Sequence, residues 1–375
     1  MCDHRWANVT VLLLVALVGG LSTQEPIPWR DPSPHSVRFV TAENEVKLEV
    51  LDWGGSGRPV VLLAGLGNSA HVFDEFAPKL TANYHVYGIT RHGYGASSVP
   101  VSGYDADRLG DDVLAVLDSL KITRPVLIGH SIGGEELSSV ATRHPERISG
   151  LIYLEAGYSY AYYDRSRGDW NIDLQELQTK LDQLQSGRGP RNQTHLIQDL
   201  LQSNLPGFEK DLQERQKDLQ APPPPTPPAP TAADRESFFA WRSWQQSVFG
   251  YAMPEGELRQ IHASTPDGRV GELRTRPAVT QAVIAGEQKY TDIQVSALAI
   301  FALPHDLGLF ANNDPVALAD FEARDIASTG AQAKAFEAGV PSAHVVRLPH
   351  ASHYVFLSNE ADVLREIRAF LAGSH

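Results

Sequence analysis

Cysteine is almost missing from this chain: Cys2 is the only one in 375 residues. A single thiol excludes a disulfide within the chain and any multi-thiolate zinc site. The 14 histidines include no H-E-x-x-H and no tight cluster, so neither a metal nor another cofactor is expected. Positive charge is also short, with 32 Lys and Arg against 45 Asp and Glu and a net charge of -13. Such a surface repels phosphate backbones, so nucleic acid is not expected as a partner. The N-terminal apolar run, residues 9–18, is shorter than the roughly 20 residues of a membrane span. It follows His4 and Arg5 and leads into Gly19, Gly20, Leu21, Ser22 and Thr23. Residues 1–23 therefore read as a secretory signal peptide, and a secreted or periplasmic protein is expected. If the segment stays uncleaved, it becomes a membrane anchor. Cleavage after Ser22 or Thr23 would also remove Cys2.

What is present is the composition of a globular protein, 42% hydrophobic and 21% charged. Residues 37–40 and 46–53 predict an opening hairpin. The continuous apolar run 60–64 ends in Gly65 and reads as a strand buried on both faces. Further strands are predicted at 84–90, 126–128 and 148–154. Helical spacing lies between them, including one stripe of Leu109, Val113, Val116, Leu117 and Leu120. This alternation predicts an α/β fold with a mostly parallel central sheet flanked by helices.

The rhythm breaks over residues 158–275. Leu174, Leu177, Leu181 and Leu184 step by three and four along one helical face, with glutamines on the others. Residues 221–230, APPPPTPPAP, can be neither helix nor sheet interior and predict a polyproline connector. Phe238, Phe239, Trp241, Trp244, Phe249 and Tyr251 follow. Strands return at 297–302 and 343–348. The expected organisation is a core of residues 24–157 and 276–375, interrupted by a helical cap at 158–275. The leucine stripe is expected to bury itself against the mouth of the sheet. Trp241 and Trp244 are expected to line an apolar substrate pocket above the nucleophile.

Residues 129–133 read G-H-S-I-G between a predicted strand and a predicted helix. A serine on so sharp a turn needs small neighbours two residues away on either side, and the turn lifts its hydroxyl above the sheet. Ser131 is therefore the candidate nucleophile. It needs a base, and LPHASHYVFL at 348–357 offers His353 and His350; His353 is preferred. The imidazole needs a carboxylate. Asp306 follows the strand at 297–302, and Glu155 directly follows the strand at 148–154. Both keep the order serine, acid, histidine. Asp306 is preferred because it follows the later strand, with Glu155 the alternative acid. Oxyanion donors are expected from the amide of Ile132 and, in A-G-L-G-N at 64–68, from Leu66.

These residues resemble the α/β-hydrolase fold superfamily. G-H-S-I-G-G is similar to its nucleophile elbow, and A-G-L-G-N stands where the family has its oxyanion loop, with Ala64 in place of a histidine. R-H-G-Y-G-A-S-S at 91–98, P-E-R-I-S-G-L-I-Y-L at 145–154 and A-S-H-Y-V-F resemble further family segments. The resemblance covers residues 37–157 and about 280–375, and not the cap. It implies the serine-nucleophile, esterase- or lipase-like branch, because Ser131 departs from the aspartate of the dehalogenases and epoxide hydrolases. The expected function is that of a secreted serine hydrolase. It would cleave an ester or related carbonyl bond of a small apolar molecule through an acyl-enzyme on Ser131. A cofactor-free lyase, a carbon–carbon bond hydrolase or a perhydrolase with the same triad stays open, as does a non-catalytic ligand-binding protein on this scaffold.

Overall fold

The computed structural model describes residues 29–186 and 190–373. The expected signal segment lies outside the described residues. Among the described residues no helix is long and apolar enough to cross a membrane. Residues 29–32 carry no regular element, and residues 33–373 belong to one compact unit.

The chain opens with β1 (Ser36–Thr41), β2 (Lys47–Gly54), β3 (Arg58–Leu63) and β4 (Tyr84–Ile89). It continues through α1 (Ala106–Leu120), β5 (Val126–His130), α2 (Gly133–Arg143) and β6 (Gly150–Leu154). A long excursion then carries α3 (Trp170–Gln185), α4 (Pro190–Asp199), α5 (Leu205–Gln220), α6 (Phe238–Phe249) and α7 (Glu255–Ile261). The small antiparallel pair β7 (His262–Ser264) and β8 (Val270–Leu273) follows, then α8 (Pro277–Ile284). The chain returns as β9 (Ala297–Ala302), α9 (Pro315–Gly339), β10 (Ala343–Leu348), α10 (Val355–Ser358) and α11 (Glu360–Gly373). The excursion between β6 and β9 takes in α8, which lies beyond the expected boundary at 275.

Among the described residues the main sheet has eight strands in the order β1-β2-β4-β3-β5-β6-β9-β10. Every pairing from β4 to β10 is parallel, and only β2 runs against the rest. Side chains alternate between its faces, and both faces are covered. Val61, Leu63, Leu127, Leu151 and Tyr153 pack with residues of α1, α2 and α9. Val60, Leu62, Val126, Ile128, Ile152 and Leu154 pack with Phe73, Phe76 and residues of α11. That double burial is why these strands read as unbroken apolar runs rather than as alternating ones.

The insertion departs from expectation. Only Leu177 of the leucine stripe is buried, whereas Leu174 and Leu181 are 37% and 45% exposed. The inner side of α3 is instead fixed by polar contacts: Asp173 accepts from the Tyr163 hydroxyl at 2.7 Å and from Lys289 Nζ at 3.0 Å. The stripe therefore does not cover the mouth of the sheet.

Candidate active site

Strands β5 and β6 end at one level, and β9 and β10 end together two residues further on. In register His130 pairs with Leu154, Leu154 with Ile300, and Ala302 with Leu348. The first residues past β5 and β6 are Ser131 and Glu155, and both take left-handed backbone, with φ of 51° and 50°. Such a conformation costs an L-residue on the order of 1 kcal/mol. It turns each side chain up from the sheet edge while the backbone stays tied. Ser131 N donates to Leu154 O at 3.1 Å, and Glu155 N donates to Ile300 O at 2.8 Å. The glycine spacing follows from the tightness of the first turn. A Cβ on Gly129 would stand 2.7 Å from Gly133 O, and one on Gly65 would stand 2.8 Å from His130 Nδ1.

Beyond β10, His353 Nδ1 lies 3.2 Å from Glu155 Oε2, which leaves Nε2 as the ring nitrogen for the serine. The His353 loop is pinned from two sides. His130 Nε2–H donates to His353 O at 2.9 Å, and the Tyr354 hydroxyl donates to Asn68 Oδ1 at 3.0 Å. Burial, together with the neighbouring His353, holds the His130 imidazole down at about 3, so it is a neutral strut. Tyr160 packs against the cluster that holds Ile132, and burial pushes its phenol well above its ordinary value.

Glu155 is fully buried. Burial opposes its ionised form, but the hydrogen bonds and charges of His305 and His353 outweigh it and hold the carboxyl at about 2. The structure thus places Glu155, not Asp306, against the imidazole. Asp306 is exposed and is used up in its own turn, where Oδ1 accepts from Gly308 N at 2.8 Å. The residue from that loop that reaches the site is its neighbour His305, whose Nε2 is 2.6 Å from Glu155 Oε2. His350, the alternative base, is exposed and lies 3.9 Å from Glu322. The donor atoms of Glu155, His305 and His353 all lie within 4.8 Å of one another. Two ligands of one tetrahedral zinc stand about 3.3 Å apart, so the 2.6 Å contact is that of a hydrogen bond.

The loop at 64–68 is held from below. Arg91 is buried and bidentate on Glu136, with Nε to Oε1 at 2.7 Å and Nη2 to Oε2 at 2.8 Å. Its Nη2 also donates to Ala64 O at 3.0 Å and its Nη1 to Gly65 O at 3.4 Å. A trans peptide directs its N–H opposite to its C=O. Holding the Gly65 carbonyl therefore turns the Leu66 N–H away from Arg91. Ile132 is the N-cap of α2, where backbone N–H groups lack helical acceptors. Leu66 and Ile132 pack together with Tyr94, Tyr160, Val279, Ala282 and Val283.

The apolar wall beside these two amides thus comes from α8. Trp241 and Trp244 do not supply it. Trp241 is buried with Phe238, Leu258 and Val270, with Trp244 against that cluster, as the core of the second half of the insertion. Trp244 connects toward His353 through successive ring contacts with Phe249, Tyr251 and Tyr354. What ties this half to the site is Glu257 on α7, fully buried, which accepts from Asn68 Nδ2 at 2.9 Å and from Ser69 N at 3.1 Å. Burial pushes its carboxyl up to about 7 against those donors. Sequence reasoning missed His305, Glu257 and the Arg91–Glu136 pair. The R-H-G-Y-G segment was visible, but nothing in it names a partner.

A family model described as the alpha/beta hydrolase fold matches residues 58–360. The chain is 33% identical over 122 residues to 3-oxoadipate enol-lactonase 2 of Acinetobacter baylyi, a stretch covering 32% of this chain and 45% of that protein. It is 35% identical over 115 residues to epoxide hydrolase A of Mycobacterium tuberculosis, covering 30% of this chain and 36% of that one. The matched stretch is less than half the length of either relative. Among solved structures, E-2-(acetamidomethylene)succinate hydrolase superposes with a TM-score of 0.56 at 16% identity, covering 90% of this chain and all (100%) of that one. An esterase from Rhodococcus sp. ECU1013 superposes at 0.52 with 15% identity, covering 91% and 100%. At these identities the likeness to solved structures is one of fold. With the family model spanning most of its length, the chain belongs to the α/β-hydrolase fold family.

Proposed function

We propose that this chain is a serine hydrolase that cleaves an ester or related carbonyl bond of a small apolar molecule. The observation that carries the reading is the strained Ser131 at the end of β5, whose chain neighbour His130 packs on the ring of His353, a histidine whose Nδ1 faces a buried carboxylate. Ser131 Oγ adds to the substrate carbonyl carbon while His353 Nε2 takes its proton. Glu155 orients the ring and stabilises the imidazolium. The N–H groups of Leu66 and Ile132 receive the oxyanion, and one such donor is worth about 3–4 kcal/mol. The imidazolium gives its proton to the departing alcohol, leaving Ser131 acylated. His353 then deprotonates a water that attacks the acyl carbon, and collapse releases the acid and restores the Ser131 hydroxyl.

The wall of Val279, Ala282 and Val283 favours an apolar acyl group beside the oxyanion amides. The lactonase among the relatives is named for a lactone, which is an internal ester. The test is labelling with a fluorophosphonate, followed by mass spectrometry of the modified peptide. The adduct is expected on Ser131, and both the adduct and ester turnover are expected to vanish in Ser131→Ala. An unlabelled, inactive wild-type protein would favour a binding protein on this scaffold.

A further inference from the structure

Glu155 has a second imidazole on its far side. His305 Nε2 stands 2.6 Å from Glu155 Oε2, and His305 Nδ1 stands 2.9 Å and 3.0 Å from the two carboxylate oxygens of Asp325 on α9. The cluster is largely closed to water, with side-chain exposures of 0% for Glu155, 16% for His305 and 8% for Asp325.

Donor counting fixes the charges. Asp325 also accepts from His305 N at 2.7 Å and from the Thr329 hydroxyl at 2.8 Å. Glu155 also accepts from Ala302 N at 2.6 Å and from the Tyr158 hydroxyl at 2.9 Å. Carboxylates surrounded by donors are ionised. A neutral imidazole has one donor and one acceptor nitrogen, and an acceptor nitrogen pressed on an ionised carboxylate would be repelled. Both nitrogens of His305 therefore carry a proton.

We propose that His305 is the positioning residue of this site, an imidazolium clamped between Asp325 and Glu155 that locks the acid's rotamer and cancels one of the two negative charges standing behind His353. The inference rests on the serine-hydrolase reading for its catalytic meaning, but the charge of His305 does not. Burial opposes that charge, yet the hydrogen bonds to Asp325 and Glu155 push the ring up to about 10. With His305 charged, the Asp325–His305–Glu155 chain presents a net charge of about -1 to the base. The other titratable groups around it are Tyr158, held well above its ordinary value by burial, Tyr160 likewise, and the neutral His130. Asp306 faces out on the neighbouring turn.

Two readouts test this on the full chain. In protein carrying 15N-labelled histidine, the His305 ring signals are identified by their loss in His305→Gln. Both ring nitrogens are expected to show protonated shifts from pH 6 to pH 8.5. In Asp325→Asn the ring is expected to titrate at lower pH than in the wild type. In kinetics on an ester substrate, His305→Gln leaves two carboxylate charges behind His353. The acid limb of its kcat/KM profile is expected to move up by about one pH unit or more. A His305 with one unprotonated ring nitrogen at pH 7 overturns the proposal. So does a His305→Gln protein that loses stability while its acid limb matches the wild type, since packing alone would do that. Failure of Ser131 labelling would sink the hydrolase reading, while the nitrogen shifts would still report the clamp.

Discussion

The rim of the sheet and the first half of the insertion are both built from sequence segments with strong patterns, and only one pattern meant what it said. At the rim, β5, β6 and β9 are fixed in register by backbone hydrogen bonds on both sides, so the residue after each strand end has a defined place. In the insertion, a stripe of leucines at helical spacing leaves Leu181 45% exposed, and Leu219 on α5 is 80% exposed. A stripe shows which side of a helix could be buried; it does not name the surface that buries it. A strand between two neighbours has no such freedom, because slipping by one residue would turn every side chain to the other face.

That contrast can be pressed at several points. The largest stability effect is expected where the rim holds a buried ion pair. Glu136→Ala strands the Arg91 guanidinium beneath the loop at 64–68 and should cost about 3–5 kcal/mol in chemical denaturation. A smaller effect is expected at the apolar wall of Val279, Ala282 and Val283. Val283→Ala should change the preference among acyl chain lengths, whereas Trp241→Ala should lower stability and leave that preference alone, because Trp241 lies in the insertion's own core. If Trp241→Ala reshapes the chain-length profile and Val283→Ala does not, the wall has been assigned to the wrong half of the insertion. The smallest effect is expected at the exposed leucines of α3 and α5. Leu181→Ser and Leu219→Ser should each stay within about 0.5 kcal/mol of the wild type. A loss of 2 kcal/mol or more, on the scale of about 1.5–3 kcal/mol for a buried leucine, would mean that the leucine concerned is covered in solution.

The parallel sheet, the elbow at Ser131 and the histidine loop were legible because each is local: an apolar run, a glycine spacing, a short segment after a strand. The acid was not, and the reason is visible in two neighbours. His305 and Asp306 are adjacent in L-P-H-D-L-G, and sequence chemistry favours the carboxylate. The chain sends Asp306 outward to cap its own turn and brings His305 in, where Asp325, 20 residues away on α9, holds it. Glu155 had been visible only as the alternative acid. Its claim comes from the left-handed turn after β6, which places it beside Ser131 one strand over. Glu257 and the Glu136–Arg91 pair escaped for a related reason. Their partners are 188 and 45 residues distant, and no spacing rule connects them.

The central claim is that the carboxylate past β6, not the one past β9, serves His353. The direct measurement is ester turnover by Glu155→Gln and Asp306→Asn, side by side and at matched folded fraction. Glu155→Gln is expected to lose on the order of 10³–10⁴ in kcat, because the imidazole loses the charge that orients it and stabilises its protonated form. Asp306→Asn is expected to stay within a few-fold of the wild type, since its side chain only closes the turn at Gly308. The opposite ranking, with Asp306→Asn crippled and Glu155→Gln nearly intact, would contradict the account.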